Sequence, residues 1–343
     1  MASLAPDIPD NRPRAGRWSR ALPGLSLIVL APLVAEVLPG ATRMSSIVVF
    51  PLEMIIWGGG AAIARDVVRR LGLSWVNLLL LALALSVAEE CLIQQTSFAP
   101  LVVKIRGVEY ARAFGVNYVY FAWALLYESL FVVMVPVALA ELLFPARRHE
   151  PWLGGWAYAV IAALAVPASL AAWYGWNVIA RPQAFHLPPF YAPLPLVAGG
   201  ALLVAVLIGA AVGPWRKRWT RPTRPLGPPR PLVAALAAAV VSALLFGVEL
   251  LAFGIAPGLP PLLAVALALV VAAACLVVPH WAASSSWTRL HAAAVVAGSI
   301  VANCLVLYAS FTDPASLDFI GKTVLDLIAF AALGLMLRSA ARA

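Results

Sequence analysis

Long apolar segments recur along the whole chain, and short polar or proline-containing stretches separate them. A helix that crosses about 30 Å of hydrocarbon needs about 20 residues, and each segment reaches that length. The pattern therefore predicts an all-α fold, a polytopic transmembrane helix bundle of about ten spans. The predicted limits of the spans are 22–41, 46–70, 75–97, 117–144, 153–178, 193–214, 231–255, 260–280, 287–310 and 317–338.

The composition agrees with this pattern. Of the 343 residues, 63% are hydrophobic and only 11% are charged, with a mean hydropathy of +0.93. Ordinary soluble domains contain about 25% charged residues. The net charge of +9 does not indicate a nucleic-acid partner, because the basic residues are scattered between apolar spans and form no patch on a soluble domain. We therefore expect a lipid bilayer as the main partner, and no nucleic acid.

The basic residues also predict the orientation of the spans, because Lys and Arg accumulate in cytoplasmic loops. If the N-terminus is inside the cell, most of the 24 Lys and Arg residues fall on the cytoplasmic side. We therefore predict an even number of spans with both termini inside. Five basic residues are then external: Arg43, Lys104, Arg106, Arg112 and Arg181.

The segment 215–230 (WRKRWTRPTRPLGPPR) is basic and rich in proline, so we expect it to be a non-helical cytoplasmic loop. Clusters of Lys and Arg beside a span bind anionic lipids at the cytoplasmic face. The loop connects spans 1–6 (residues 1–214) with spans 7–10 (residues 231–343), and we predict that residues 1–343 form a single integral membrane domain.

Glycines inside the spans predict close helix packing, because a residue without a side chain lets two backbones approach each other. Gly58, Gly59 and Gly60 are consecutive, and Gly209 with Gly213 has GxxxG spacing. We interpret both groups as helix–helix contacts rather than as ligand-binding breaks.

Seven of the fifteen acidic residues lie at least five residues from either end of a predicted span, and all seven fall in the outer half. A charged side chain at the centre of a bilayer costs about 2.5 to 3.5 kcal/mol, so such groups usually face a bundle interior or a wet cavity. We therefore expect an outward-facing acidic cavity formed mainly by spans 1, 2, 3, 4, 7 and 10. The seven acids are Glu36, Glu53, Glu89, Glu90, Glu128, Glu249 and Asp326.

Helical spacing places polar residues of three spans on common stripes, because residues four apart lie on one face. In span 10, Lys322 can neutralise a neighbouring acid. The other six acids have no obvious basic partner, so they must be protonated, bind a cation, contact water or use Arg106 or Arg112. Alternatively, some of them only hydrogen-bond between helices or lie at the wet interface. The stripes are Ser86, Glu90 and Gln94; Asn117, Phe121, Ala124 and Glu128; and Asp318, Lys322 and Asp326.

Four runs of sequence, GGGAAIARDVVRRLGLSW, AEECLIQQTSF, FGVNYVY and ALAELLFP, lie within the first 150 residues or so. They resemble a family of functionally uncharacterised bacterial multi-pass membrane proteins. The resemblance implies a location in the bacterial plasma (inner) membrane and a shared site around Glu89 and Glu90, but no activity. Members of that family often have a histidine at the place of Glu128.

The adjacent Glu89 and Glu90 also resemble, more weakly, the CAAX-protease and bacteriocin-processing family. Those intramembrane hydrolases carry a Glu-Glu pair followed by an arginine, with histidines on later helices. Here Gln94 stands at the arginine position. His280, His291 and His149 lie near the inner side, and only His186 lies in an external loop that could reach the acids.

The sequence thus favours a proton- or cation-coupled transporter or permease rather than an enzyme, with a small molecule or an ion as its substrate. Two alternatives are an intramembrane hydrolase of the diglutamate type and a non-catalytic membrane subunit or sensor. We predict no metal and no cofactor, because only carboxylates converge and no nucleotide-binding or metalloprotease motif occurs at a suitable place. The predicted ion, proton or substrate site consists of Glu89, Glu90, Glu128, Gln94, Glu53, Glu249, Lys322 and Asp326.

Overall fold

The computed structural model describes residues 17–220 and 223–342, with backbone only for 17–20 and 220. Long apolar helices form most of the described chain. Helix α1 spans Arg17–Pro32 and continues through Leu33–Val37. The others are α2 Met44–Arg70, α3 Trp75–Ile93, α4 Tyr118–Leu143, α5 Gly155–Ala184, α6 Leu194–Val212, α7 Pro231–Ala252, α8 Pro261–Ala282, α9 Arg289–Ser310 and α10 Leu317–Ala341.

Nine of the helices in the described residues, α2 to α10, are long and apolar enough to cross a membrane. The apolar part of α1, Ala21–Val37, is shorter. It ends before the predicted limit of 41 because Pro39 has no amide to continue the helix and Gly40 turns the chain at a φ of +90°. The architecture is that of an all-α, multi-pass membrane protein.

Side-chain caps determine where several helices begin. Ser74 and Asn77 bond reciprocally at the start of α3, and Thr288 and His291 do the same at the start of α9. Asn117 accepts a hydrogen bond from the Tyr120 amide at the start of α4. Each cap satisfies amide groups that a helix leaves unpaired in its first turn.

The outer surface of the bundle carries large apolar side chains. Leu194 and Leu262 are each 78% exposed, and Leu202, Leu232 and Leu327 are also exposed. Contiguous apolar surface of this kind indicates contact with membrane lipid.

The basic loop after α6 contains a short 3₁₀ helix, Arg216–Thr220. The expectation that this loop is non-helical is therefore wrong for these residues.

Close packing uses some of the predicted glycines but not all of them. A Cβ atom on Gly58 would lie 2.0 Å from the Ile28 carbonyl oxygen, so α1 and α2 meet at this residue. Gly209 has open space around the same position, and the predicted GxxxG contact there is wrong. Its partner Gly213 instead ends α6, where its amide donates to the Gly209 carbonyl.

One end of the bundle is held together by the RDVVRR segment of α2. Arg65 is fully buried, donates to Glu141 and lies 3.4 Å above the Trp152 ring. Asp66 accepts hydrogen bonds from the Leu153 amide and the Tyr158 hydroxyl. These contacts fasten the α4–α5 connection to α2, so the RDVVRR segment has a structural role.

The α3–α4 connection forms a compact cap at the opposite end. It contains two short antiparallel strands, β1 Arg112–Ala113 and β2 Val116–Asn117. The residues between them, Phe114 and Gly115, both have positive φ values, as a tight two-residue hairpin turn requires. Arg112 donates to the carbonyl oxygens of Phe98 and Ala99, which keeps the cap folded over the ends of α3 and α4.

Candidate functional site

Six glutamates from five helices converge beneath the α3–α4 connection. Five of them are buried, and Glu36 is partly buried. The charged groups near the Glu36 carboxyl are other carboxyls, those of Glu53, Glu249 and Glu90, and their electrostatic interaction with it is repulsive. Five of the six line one cavity of about 220 Å³, and Glu53 does not. The five are Glu36, Glu89, Glu90, Glu128 and Glu249, and the predicted residue Gln94 lines the same cavity.

The carboxyls of Glu90 and Glu128 form the centre of this group. They are close enough to hydrogen-bond to each other, and Ser97 Oγ donates to Glu90 Oε2 over 2.6 Å. Two carboxyls share a hydrogen bond only if one of them carries a proton. The pair is therefore suited to hold a single proton between α3 and α4.

The backbone around the glutamates departs from ordinary α-helix. Glu36 lies within the π-helical turn Leu33–Val37, and Glu89 and Glu90 lie within the turn Glu89–Ile93. Two further π-helical turns, Met54–Gly58 and Ser129–Met134, begin directly after Glu53 and Glu128. Such turns are rare and frequently occur at functional sites. Each changes the direction in which the residues beside it point.

The π turn of α1 exposes backbone carbonyls that side chains of other helices use. Asn303 Nδ2 donates to the Val34 oxygen over 2.8 Å, and the Tyr127 hydroxyl donates to the Ala35 oxygen. Lys322 Nζ donates to the carbonyl oxygen that follows the turn, that of Leu38. Side chains of α4, α9 and α10 therefore hold the segment that carries Glu36.

Lys322 and Asp326 form a separate ion pair. The Lys322 Nζ to Asp326 Oδ2 distance is 2.8 Å, both side chains are 2% exposed, and neither lines the acidic cavity. Asp318 does not join them, because it accepts hydrogen bonds from the amide and hydroxyl of Ser45.

The expectation that spans 2 and 10 help to form the cavity is wrong, because Glu53, Lys322 and Asp326 do not line it. The α3–α4 connection and helices α5 and α9 contribute instead, through residues such as Thr96, Trp176 and Leu307.

Aromatic side chains form much of the cavity wall, which sequence analysis missed. The rings of Tyr120, Trp123 and Tyr127 follow one another along α4, with centroid distances of 5.2 and 5.1 Å. Their spacing of three and four residues is the signal that could have identified this face. The predicted stripe on α4 is wrong in part, because Asn117 caps the helix and Phe121 packs in a separate apolar cluster.

The proposed counter-charges lie elsewhere. Arg112 pairs with Glu109 at 2.7 Å, and Arg106 is exposed. His186, the histidine that was expected to reach the acids, is also exposed. Across residues 17–220 and 223–342, none of the ion pairs includes any of the six glutamates. Within the same ranges, no group of three or more His, Cys, Asp or Glu side chains is arranged to hold a metal ion.

A second cavity, of about 230 Å³, follows the acidic cavity along α4 and α7. Its walls are mostly apolar, and Leu130, Phe131 and Ser242 contribute to them. The rings of Tyr127, Phe131 and Phe246 lie between the two cavities. The Tyr127 ring centroid is 5.1 Å from that of Phe131 and 5.8 Å from that of Phe246. From Phe246 to Ser242 is about one helical turn, roughly 6 Å. Aromatic side chains therefore lie where the two cavities approach each other.

The chain matches no family model, and no curated protein or solved structure shows significant similarity to it.

Proposed function

We propose that this protein is a proton- or cation-coupled membrane transporter whose coupling site is the acidic cavity. One observation carries the proposal: five carboxyls without a basic partner among the described residues line a single cavity. Uncompensated carboxylates are costly in this setting, so the cavity must take up protons or a cation to become neutral. Glu90 and Glu128, whose carboxyls are close enough to hydrogen-bond to each other, are the proposed proton-binding pair.

The second cavity supports transport over simple binding. We propose ten spans with the basic loops in the cytoplasm, which places the acidic cavity toward the outside and the apolar cavity toward the inside. The resemblance to bacterial proteins would locate this bundle in the plasma membrane. Tyr127, Phe131 and Phe246 then close the path between the two compartments. Displacement of these rings would let a solute pass from one cavity to the other, and alternating access would require the two cavities to open to their own sides in turn.

The hydrolase alternative receives less support from the site. A diglutamate hydrolase needs further groups that position and activate water, and these are usually histidines or metal ligands. No histidine of the described residues lines the acidic cavity. Gln94, which occupies the place of the family's arginine, does line it but cannot carry a charge.

The test is solute-dependent proton movement in proteoliposomes that contain a pH-sensitive dye. The wild-type protein should change the internal pH when a member of a panel of inorganic cations, amines and amino acids is added. Glu90→Gln should abolish this change, because the amide keeps the shape of the side chain but does not titrate. Glu150→Gln makes the same chemical change at an exposed residue of the opposite end and should transport normally.

Two results would contradict the proposal. One is normal coupling in the Glu90→Gln variant. The other is a wild-type protein that moves no solute of the panel and instead releases a cleaved peptide or lipid product that disappears in Glu90→Gln, which would establish the hydrolase.

A further inference from the structure

The acidic cavity combines unpaired carboxylate oxygens with aromatic walls. Glu89 Oε2 and Glu128 Oε2 have no hydrogen-bond partner among the described residues, although the side chains are only 4% and 7% exposed. Thr96 Oγ1 and Trp123 Nε1, on residues that line the same cavity, are also buried without partners. Buried polar atoms are nearly always hydrogen-bonded, so these atoms must bond to water or to a ligand inside the cavity.

The aromatic residues surround these oxygens on more than one side. Trp123 and Tyr127 stack at 5.1 Å on α4, and Phe246 of α7 and Trp176 of α5 complete the wall. Tyr120 lies among four of the glutamates, Glu90, Glu249, Glu128 and Glu89. A cation above an aromatic face is attracted by the ring electrons, and the attraction increases when water is excluded.

The arrangement disfavours a small metal ion. A metal ion needs several ligand atoms within a narrow range of distances, and no group of three carboxylates, histidines or cysteines in the described chain meets that requirement. A cation with dispersed charge and an apolar body does not need such convergence. It can donate N–H bonds to separate carboxylates while its hydrocarbon part contacts the rings.

We propose that the acidic cavity binds a small organic ammonium ion with N–H donors, a protonated primary or secondary amine, between the glutamates and the aromatic wall. Glu89 and Glu128 accept its N–H bonds, and Trp123, Tyr127 and Trp176 contact its apolar part. The cavity volume of about 220 Å³ limits the ligand to a compact molecule. This substrate class rests on the proposed function, but the binding itself does not require transport.

Titration calorimetry on the purified protein in detergent tests the proposal directly. Benzylammonium is the probe, and benzyl alcohol, tetramethylammonium and sodium chloride are the comparison solutes. We expect benzylammonium to bind most tightly, because the alcohol lacks the charge, tetramethylammonium lacks N–H donors and sodium lacks an apolar body. Glu128→Gln should weaken benzylammonium binding by about tenfold or more, the range for a lost charge-assisted hydrogen bond.

Two tryptophans of α5 provide a matched pair of variants. Trp176 lines the cavity, whereas Trp173, one turn away, contacts Tyr191 and does not. Trp176→Leu should weaken benzylammonium binding by roughly 2- to 30-fold, the range of a cation–π contact, and Trp176→Phe should retain most of it. Trp173→Leu should bind as the wild type does. Retained binding in Trp176→Phe shows that the fold tolerates the change.

The outcomes separate this inference from the proposed transport function. Equal binding of benzyl alcohol and benzylammonium, tighter binding of sodium, or no effect of Trp176→Leu and Glu128→Gln would overturn the ammonium site. Glu90-dependent proton movement with another solute would then leave the transport proposal standing. Tight benzylammonium binding without any flux would support the site and contradict transport.

Discussion

At the scale of single residues, Lys322 has a different role from the glutamates. Its ammonium group donates to Asp326 and to the carbonyl oxygens of Leu38 and Cys304, and it lies 4.4 Å from the Tyr308 ring centroid. It therefore joins α1, α9 and α10 just beyond the π turn that carries a cavity glutamate. We infer that Lys322 holds the site in place without contacting the cavity.

Substitution of Lys322 should show this structural role. Removal of one member of a buried ion pair typically costs about 3 to 5 kcal/mol, because the other charge remains buried and unpaired. Lys322→Met should therefore lower the thermal unfolding temperature in detergent markedly. Lys322→Met combined with Asp326→Leu should recover part of the loss, because no buried charge remains although the two carbonyl bonds are gone.

Lys104→Met is the matched control. Lys104 is 31% exposed and lies 3.8 Å from Glu109, and exposed pairs contribute about 0 to 1 kcal/mol. Its unfolding temperature should remain close to that of the wild type. An equally small change for Lys322→Met, or a double variant no more stable than Lys322→Met, would show that the buried pair does not stabilise the bundle.

At the scale of helices, the contact between α1 and α2 depends on a glycine. Gly58→Ala would place a methyl group against the backbone of Ile28, which cannot move aside without shifting α1. Overpacking in a close-packed interior costs about 1 to 3 kcal/mol. We expect lower thermal stability in detergent and less monodisperse protein on size-exclusion chromatography.

Gly209→Ala is the same substitution at an exposed position of α6 that has open space for a methyl group. Surface substitutions of this kind change stability by less than about 0.5 kcal/mol. This variant should therefore unfold at the wild-type temperature. If Gly58→Ala and Gly209→Ala have the same unfolding temperature, the contact at Gly58 is not tight in the folded protein.

At the scale of the whole molecule, the orientation of the bundle decides which compartment the acidic cavity meets. The ten-span arrangement places residues 148 and 224 in the cytoplasm and residues 106 and 186 outside. All four side chains are exposed and can be replaced by single cysteines in a variant that lacks Cys91, Cys275 and Cys304. A membrane-impermeant maleimide added to intact cells should label positions 106 and 186 only. Labelling of positions 186 and 224 from the same side would contradict this topology.

The fold class and most helix positions could be predicted from the apolar segments alone. Apolar runs of about 20 residues are a local property, and a bilayer selects them by length and composition alone. The all-α prediction and most span limits therefore agree with the structure within a few residues. The carboxylates Glu89, Glu90 and Glu128 could also be identified in this way, because buried acids are conspicuous in apolar segments.

Which of these residues share a cavity depends on how the helices pack against one another. Glu36 lines it although it was left out of the predicted site, whereas Glu53, Lys322 and Asp326 do not. The reason is that packing between helices sets how each helix is rotated, and a π turn shifts that rotation for the residues beside it. Neither effect is encoded in hydrophobic spacing. The spacing of Tyr120, Trp123 and Tyr127 places them on one face of α4, but only the packed helices show that this face lines the cavity and that the Lys322–Asp326 pair does not.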